Sequence, residues 1–257
     1  LIALQFVASC ASSLRLGAEV LDNDFRNLLL LAREAATLDV LSEGRLELGL
    51  GAGWQQLDYD WSGIPLDDGA TRVARLAEAV PLLKDLLSGK TVTHAGRFYR
   101  LREAVCHPRP VQRPHPPLMV GGTGPGLLRL AARTADIVSF ASGTTAQPPG
   151  EWTLEKLARK AARVREQAGS HQPELHLAPD IWRVTSDRES FLREKAAALG
   201  FATAEDLARS AYVLVGTVEQ IVEQLEEARA VAGISYVTVH QDAMEEFAPI
   251  VARLGAR

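Results

Sequence analysis

At 257 residues and 47% apolar content, the chain can bury a large core and has the size of one α/β barrel. Its net charge of -4 gives no electrostatic ground for a nucleic acid or an anionic membrane as partner. Two cysteines, Cys10 and Cys106, make no disulfide framework, and neither a signal peptide nor an apolar run of membrane-spanning length is present, so the plain expectation is one cytoplasmic domain over residues 1–257.

Leu1 to Ser13 reads as the end of a helix feeding a strand, Leu14 to Leu21, whose Arg15, Gly17 and Glu19 share one face. A helix follows from the spacing of Leu28, Leu31, Ala35 and Leu38, with Asp24 as N-cap and Gly44 as stop. The next strand, Leu46 to Leu50, has period two. In a parallel barrel its leucines face the surrounding helices, while Glu47, Gly49 and Gly51 face the interior, where the glycines leave room for something flat and large. An insertion then runs to a strand at Leu118 to Val120. It holds a helix from about Thr71 to Leu87 with Val73, Leu76, Val80 and Leu83 on one face, a hairpin pairing Thr91 to Thr93 with Phe98 and Tyr99 around a turn at His94 to Gly96, and an extended Pro108 to Pro117. A helix opening at Pro125 turns Leu127, Leu130 and Ala131 inward. Ile137 to Phe140, His176 to Val184 and Ile234 to His240 complete six strands alternating with helices, the pattern of a parallel sheet with right-handed crossovers. Gly, Thr, Ala and Pro dominate Ala141 to Gly150, which predicts a mobile loop.

Chemistry can be sought at the strand ends. Gly121, Gly122, Thr123 and Gly124 stand between a strand and a helix, so free amides there would make an anion site, or the glycines merely connect the two elements. Ala52, Gly53 and Trp54 fall at the C-terminal mouth of their strand; Trp54 either stacks on a substrate or is a rim aromatic. His240, with Asp180 and Trp182 of similar standing, is either an acid pointing into the pocket or a satisfied rim residue. Arg15 and Glu47, each two residues before a glycine on neighbouring strands, are expected to form a buried ion pair. The histidines show no zinc-like spacing with cysteines or carboxylates, and no Gly-x-Ser-x-Gly elbow or P-loop occurs.

Leu14 to Gly17, Ala32 to Asp39, Leu41 to Arg45, Leu48 to Trp54, Tyr59 to Pro65, Pro108 to Gln112 and Gly121 to Pro125 occur in an order that resembles the bacterial luciferase-like family of flavin and deazaflavin oxidoreductases, over most of residues 1 to about 140. The resemblance implies an α/β fold, a (β/α)8 TIM barrel with an insertion after the fourth strand. With six strands counted, the first two would precede Leu1; at roughly 30 residues per unit this is about 50 to 60 residues. The resemblance further implies a cofactor phosphate on Gly121, Gly122, Thr123 and Gly124, a non-proline cis peptide at Glu19-Val20 beneath the cofactor ring, and ring contacts from Glu19, Val20, Asp22, Gly51, Ala52 and Gly53, with Trp54 and His240 nearest the chemistry. Deazaflavin sugar-phosphate dehydrogenases of the family carry an acidic catalytic residue where this chain has Trp54, which argues against the same reaction on a sugar phosphate. The implied function is hydride transfer between coenzyme F-420, a 5-deazaflavin, and a small organic substrate by a homodimer. An FMN-dependent monooxygenase using reduced flavin and oxygen is the second reading, and a non-catalytic flavin-binding relative the third.

Overall fold

Helices alternate with strands as the apolar spacing requires. The computed structural model describes residues 1–142 and 149–255, which divide into two compact units, Leu1–Ile137 and Val138–Arg257. In the first unit, α1 (Ile2–Cys10) leads to two short strands, β1 (Leu16–Gly17) and β2 (Leu21–Asp22), and a 3-10 turn, Asn23–Phe25. Then come α2 (Leu28–Leu41), β3 (Leu46–Gly51), α3 (Gln56–Ser62), α4 (Gly69–Leu87), the hairpin β4 (Val92–Ala95) and β5 (Arg100–Ala104), β6 (Leu118–Gly122) and α5 (Pro125–Thr134). β3 is central: β1 and β2 both lie parallel to it, and β6 is its other parallel neighbour, with Leu48 opposite Leu118 and Leu50 opposite Val120. Leu46, Leu48 and Leu50 are wholly buried, each contributing about 2 kcal/mol of apolar burial.

The second unit opens with β7 (Ile137–Ala141), followed by α6 (Leu154–Ala168), β8 (Glu174–Ala178), β9 (Ile181–Val184), α7 (Arg188–Ala198), α8 (Ala204–Ala208), β10 (Val213–Gly216), α9 (Val218–Ala232), β11 (Tyr236–Val237) and α10 (Met244–Gly255). β8 lies between β7 and β11, while β9 and β10 form a separate parallel pair. Leu214, Ile221, Val222, Phe247 and Ile250 form a core between β10, α9 and α10.

Two of the segments that carry the family resemblance, Ala32 to Asp39 and Pro108 to Gln112, are joined in the structure. The Asp39 carboxylate, fully buried at the end of α2, accepts the backbone N–H of Val111 (2.7 Å) and of Gln112 (3.0 Å) and the Gln112 side-chain amide (2.7 Å). Arg45, on the turn after α2, donates to the carbonyls of Ala11 (2.6 Å), Leu14 (2.8 Å) and Ala8 (3.1 Å), which ties down the C-terminal end of α1.

Several sequence expectations are corrected. The strand at Leu14 to Leu21 is two pieces, because Ala18 to Val20 leave the ladder and arch over β3. A Cβ on Gly49 would lie 1.9 Å from the Ala18 carbonyl oxygen, and one on Gly51 would lie 2.6 Å from Val20 Cγ2. The glycines of β3 therefore make room for the neighbouring backbone and Val20. The α2 cap is Asn27, whose Oδ1 accepts from Leu29 and Leu30 N–H at 3.1 Å each, because Asp24 is committed elsewhere. In the hairpin β4 pairs with Arg100–Ala104, and Phe98 and Tyr99 sit in the turn, since the Glu78 carboxylate of α4 takes both of their amides. The expected strand from His176 to Val184 breaks at Pro179-Asp180, where proline has no N–H for the ladder. Ile234 to His240 shortens to β11, and β10 is an additional strand, an apolar run too short to announce its type in the sequence. The buried side of α5 is Leu128, Ala131 and Ala132; Leu127 instead covers Gly122. Most of the expected loop from Ala141 to Gly150 lies outside the described residues.

Candidate active site

The C-terminal end of β3 opens into Ala52, Gly53 and Trp54. Beside it Glu19-Val20 is a cis peptide bond without proline, as the resemblance implied. Asp22 pairs with Gly51 in the sheet. Glu19 is exposed, Val20 half-buried, and Trp54 is 66% exposed. Gly53 has a positive φ of 74°, and a Cβ there would meet the Tyr59 hydroxyl at 2.0 Å and Asp22 Oδ2 at 2.4 Å. Only glycine lets these two side chains close in on the strand end.

Tyr59, wholly buried on α3, directs its hydroxyl between two carboxyls, 3.0 Å from Asp24 Oδ2 and 3.3 Å from Asp22 Oδ1. Burial, with both carboxylates adding to it, pushes the phenol far above its usual range, so it stays a hydroxyl. Asp22 also accepts the Asp24 N–H at 2.8 Å. Burial raises the Asp22 carboxyl above its ordinary value, against the lowering effects of the Asp24 N–H, Tyr59 and Arg72. Two arginines one turn apart on α4 complete the cluster. Arg75 bridges Asp24 (2.6 Å) and Asp67, and although burial opposes its charge, the two carboxylates hold it more firmly protonated than usual. Arg72 Nε donates to the Ala52 carbonyl at 3.1 Å, which fixes the end of β3. Asn23 Nδ2 donates to the Tyr99 hydroxyl at 2.8 Å, linking the same turn to the hairpin.

Among these residues the sequence singled out Asp22 and the strand-end glycines, not Tyr59, Asp24, Arg72 or Arg75. The available signal was the Arg-x-x-Arg spacing in the first turns of α4, preceded by Asp67. The expected Arg15–Glu47 pair forms at 2.5 Å, but it is not buried on both sides: Glu47 is enclosed while the Arg15 side chain is 66% exposed at the edge strand β1.

At the end of β6, Gly124 is the N-cap of α5 with no side chain capping the helix, and Pro125 occupies the first turn. A Cβ on Gly124 or Gly126 would meet nothing within 4 Å. Open backbone amides at a helix start of this kind suit a phosphate, so the residues present fit the cofactor side chain that the resemblance implied. Gly121, Gly122 and Thr123 form the approach to that helix and are half-buried.

His240 belongs to the second unit. It is exposed and packs its ring 4.3 Å from that of Trp182. Asp180 lies near it, its carboxyl raised by burial and lowered by a Ser142 hydrogen bond and the His240 charge. His176 Nδ1 contacts Ser139 Oγ at 2.8 Å in the same unit.

The model of the luciferase-like monooxygenase family matches residues 2–235, across both units. The chain belongs to this family. Relatives that carry an activity in their names include dehydrogenases and a monooxygenase component. An F420-dependent glucose-6-phosphate dehydrogenase of Kineococcus radiotolerans is 38% identical over 144 residues, 56% of this chain and 42% of that protein. The oxygenase component of a flavin-dependent trigonelline monooxygenase from Acinetobacter baylyi is 32% identical over 119 residues, 46% of this chain and 32% of that protein. In each case the match spans less than half of the relative's length. The coenzyme F420 dependent tetrahydromethanopterin reductase of Methanopyrus kandleri superposes with a TM-score of 0.76 over 97% of this chain and 84% of its own, at 19% identity. The fold is therefore the α/β TIM-barrel type of the luciferase-like family, as the sequence indicated.

Proposed function

We propose that this family member is an oxidoreductase that uses coenzyme F-420 for hydride transfer to or from a small organic substrate. The observation that carries the reading is the pairing of two sites in the first unit: open helix-start amides at Gly124, which suit a phosphate, and the cis Glu19-Val20 segment arched over β3. The names of the F420-dependent relatives support the choice of cofactor. Gly121, Gly122, Thr123 and Gly124 would hold the phosphate, and Val20 with Ala52 and Gly53 would border the ring. When bound, the deazaflavin supplies the hydride chemistry. The chain's own residues orient and shield it, with Arg72 fixing the Ala52 carbonyl and Asp22 presenting a carboxyl beside Gly53. Trp54 stands beside this mouth as a flat apolar surface for substrate, in place of the acidic residue of the sugar-phosphate enzymes.

The second reading is an FMN-dependent monooxygenase, favoured by the likeness to the trigonelline monooxygenase component. Titration of the purified protein with oxidised coenzyme F-420 and with FMN, followed by absorption spectra and fluorescence quenching, separates the two. Tight binding of the deazaflavin alone supports hydride transfer, and preference for FMN moves the assignment to the monooxygenase. Binding of neither overturns both.

A further inference from the structure

The second unit holds a cavity that the candidate active site does not use. Its volume is about 480 Å³, within the roughly 300 to 1,000 Å³ of small-molecule sites. The lining comes from the start of α6, from Leu177 on β8, from residues 208–211 with the first two residues of β10, and from one face of α9, all inside Val138–Arg257. The cofactor contacts argued above lie in Leu1–Ile137 and contribute nothing to it. Leu177, Val213, Leu214 and Leu225 give the cavity an apolar wall.

Three polar side chains on the lining have unused hydrogen-bonding capacity among the described residues. Gln224 is the clearest case, since its amide oxygen is closed off from solvent and has no hydrogen-bond partner. An enclosed amide oxygen without a donor is costly, and turning the amide about its last, soft torsion brings that oxygen to the cavity. Ser210 is 5% exposed, and its Oγ accepts the Tyr212 N–H at 3.1 Å while its own O–H donates to none of these residues. Next to it, Arg209 stands exposed at the rim with no ion pair or hydrogen bond on its guanidinium. Two carboxylates share the rim: Glu155, held by Arg159 at 2.5 Å, and Glu227.

We propose that this cavity binds a small monoanionic carboxylic acid that has an apolar body and one N–H or O–H group. Arg209 takes the carboxylate, for which its planar fork is suited. The Ser210 hydroxyl donates to a second ligand oxygen, and the Gln224 oxygen accepts from the ligand's N–H or O–H. The leucines and Val213 cover the apolar body. A dianion such as phosphate is disfavoured, because its second charge would meet Glu155 and Glu227 without a second free cation. A purely apolar ligand would leave Gln224 and Ser210 as they are. The site is independent of the hydride-transfer reading.

N-benzoylglycine supplies each of these features: a carboxylate, an amide N–H, an amide carbonyl and a phenyl ring. Titrated into the full chain and followed by amide proton–nitrogen spectra, it should saturate with a Kd of about 1 mM or tighter. The shifts should centre on residues 153–155, 208–214 and 224–228. Arg209→Ala should weaken binding roughly tenfold, and the uncharged N-benzoylglycinamide should bind the wild type more weakly by a similar factor. Gln224→Leu should also weaken binding, yet melt no lower than the wild type, because it removes an unpaired amide from the ligand-free protein. Failure to saturate by about 10 mM, shifts centred elsewhere, or unchanged affinity in Arg209→Ala overturns the site. A Gln224→Leu protein that melts well below wild type overturns it too, since the amide would then be held within the chain.

Discussion

Glycine has two distinct uses at this site, and substitution separates them. Gly49 stands where a Cβ would meet the Ala18 carbonyl oxygen at 1.9 Å, a backbone atom that cannot turn aside. Gly49→Ala should lower stability by about 3 kcal/mol, measured as the urea unfolding midpoint. Gly124 has open space around it, so Gly124→Ala should leave that midpoint within about 0.5 kcal/mol of wild type. The same variant should weaken cofactor binding roughly tenfold, about 1.4 kcal/mol, by putting a methyl among the phosphate-facing amides. Asp22 adds a pH signature. Its carboxyl is raised by burial in the folded chain, so between the ordinary carboxylate value of 3.8 and its folded value the native state binds more proton than the unfolded state. Its contribution to stability is present at acid pH and is lost as pH rises through the folded value. Melting curves should therefore show Asp22→Asn gaining on wild type as pH climbs above the ordinary carboxylate value of 3.8. A constant difference would contradict the raised value.

Among elements, the hairpin β4–β5 depends on a residue outside it. Glu78 on α4 accepts from Phe98 N–H (3.1 Å), Tyr99 N–H (2.9 Å) and shares a 2.9 Å contact with His94 Nε2. Glu78→Ala should free the turn, with faster amide exchange confined to residues 96–99 and a loss of roughly 2 kcal/mol. The caps show how local signals mislead. Asp24 and Asn27 are both good N-cap types in the right neighbourhood, and the sequence pattern favours neither. Asp24 is taken by Arg75 and Tyr59 from distant elements, which leaves Asn27 to cap α2.

For the whole molecule, binding and stability are linked. A ligand that binds only the folded chain, present at a hundredfold over its Kd, adds about 2.7 kcal/mol. A thermal shift with coenzyme F-420 that exceeds the shift with FMN at matched multiples would support the deazaflavin reading, and the reverse order would support the flavin. Among the described residues no helix is long and apolar enough to cross a membrane.

Periodicity determined α2 and the position of β3, because Leu28, Leu31, Ala35 and Leu38, and then Leu46, Leu48 and Leu50, can be buried in only one register each. The ordered motifs up to Gly121 to Pro125 carried the family, and the cis bond at Glu19-Val20 came with it. What tertiary structure alone decided is which polar groups meet. Asp22, Asp24, Tyr59, Asp67, Arg72 and Arg75 are spread over more than fifty positions and come from four segments, so no local pattern connects them. The glycines of β3 were read as space for a ligand, but they accommodate the neighbouring chain, since a missing Cβ in the sequence does not say which atoms will take its place.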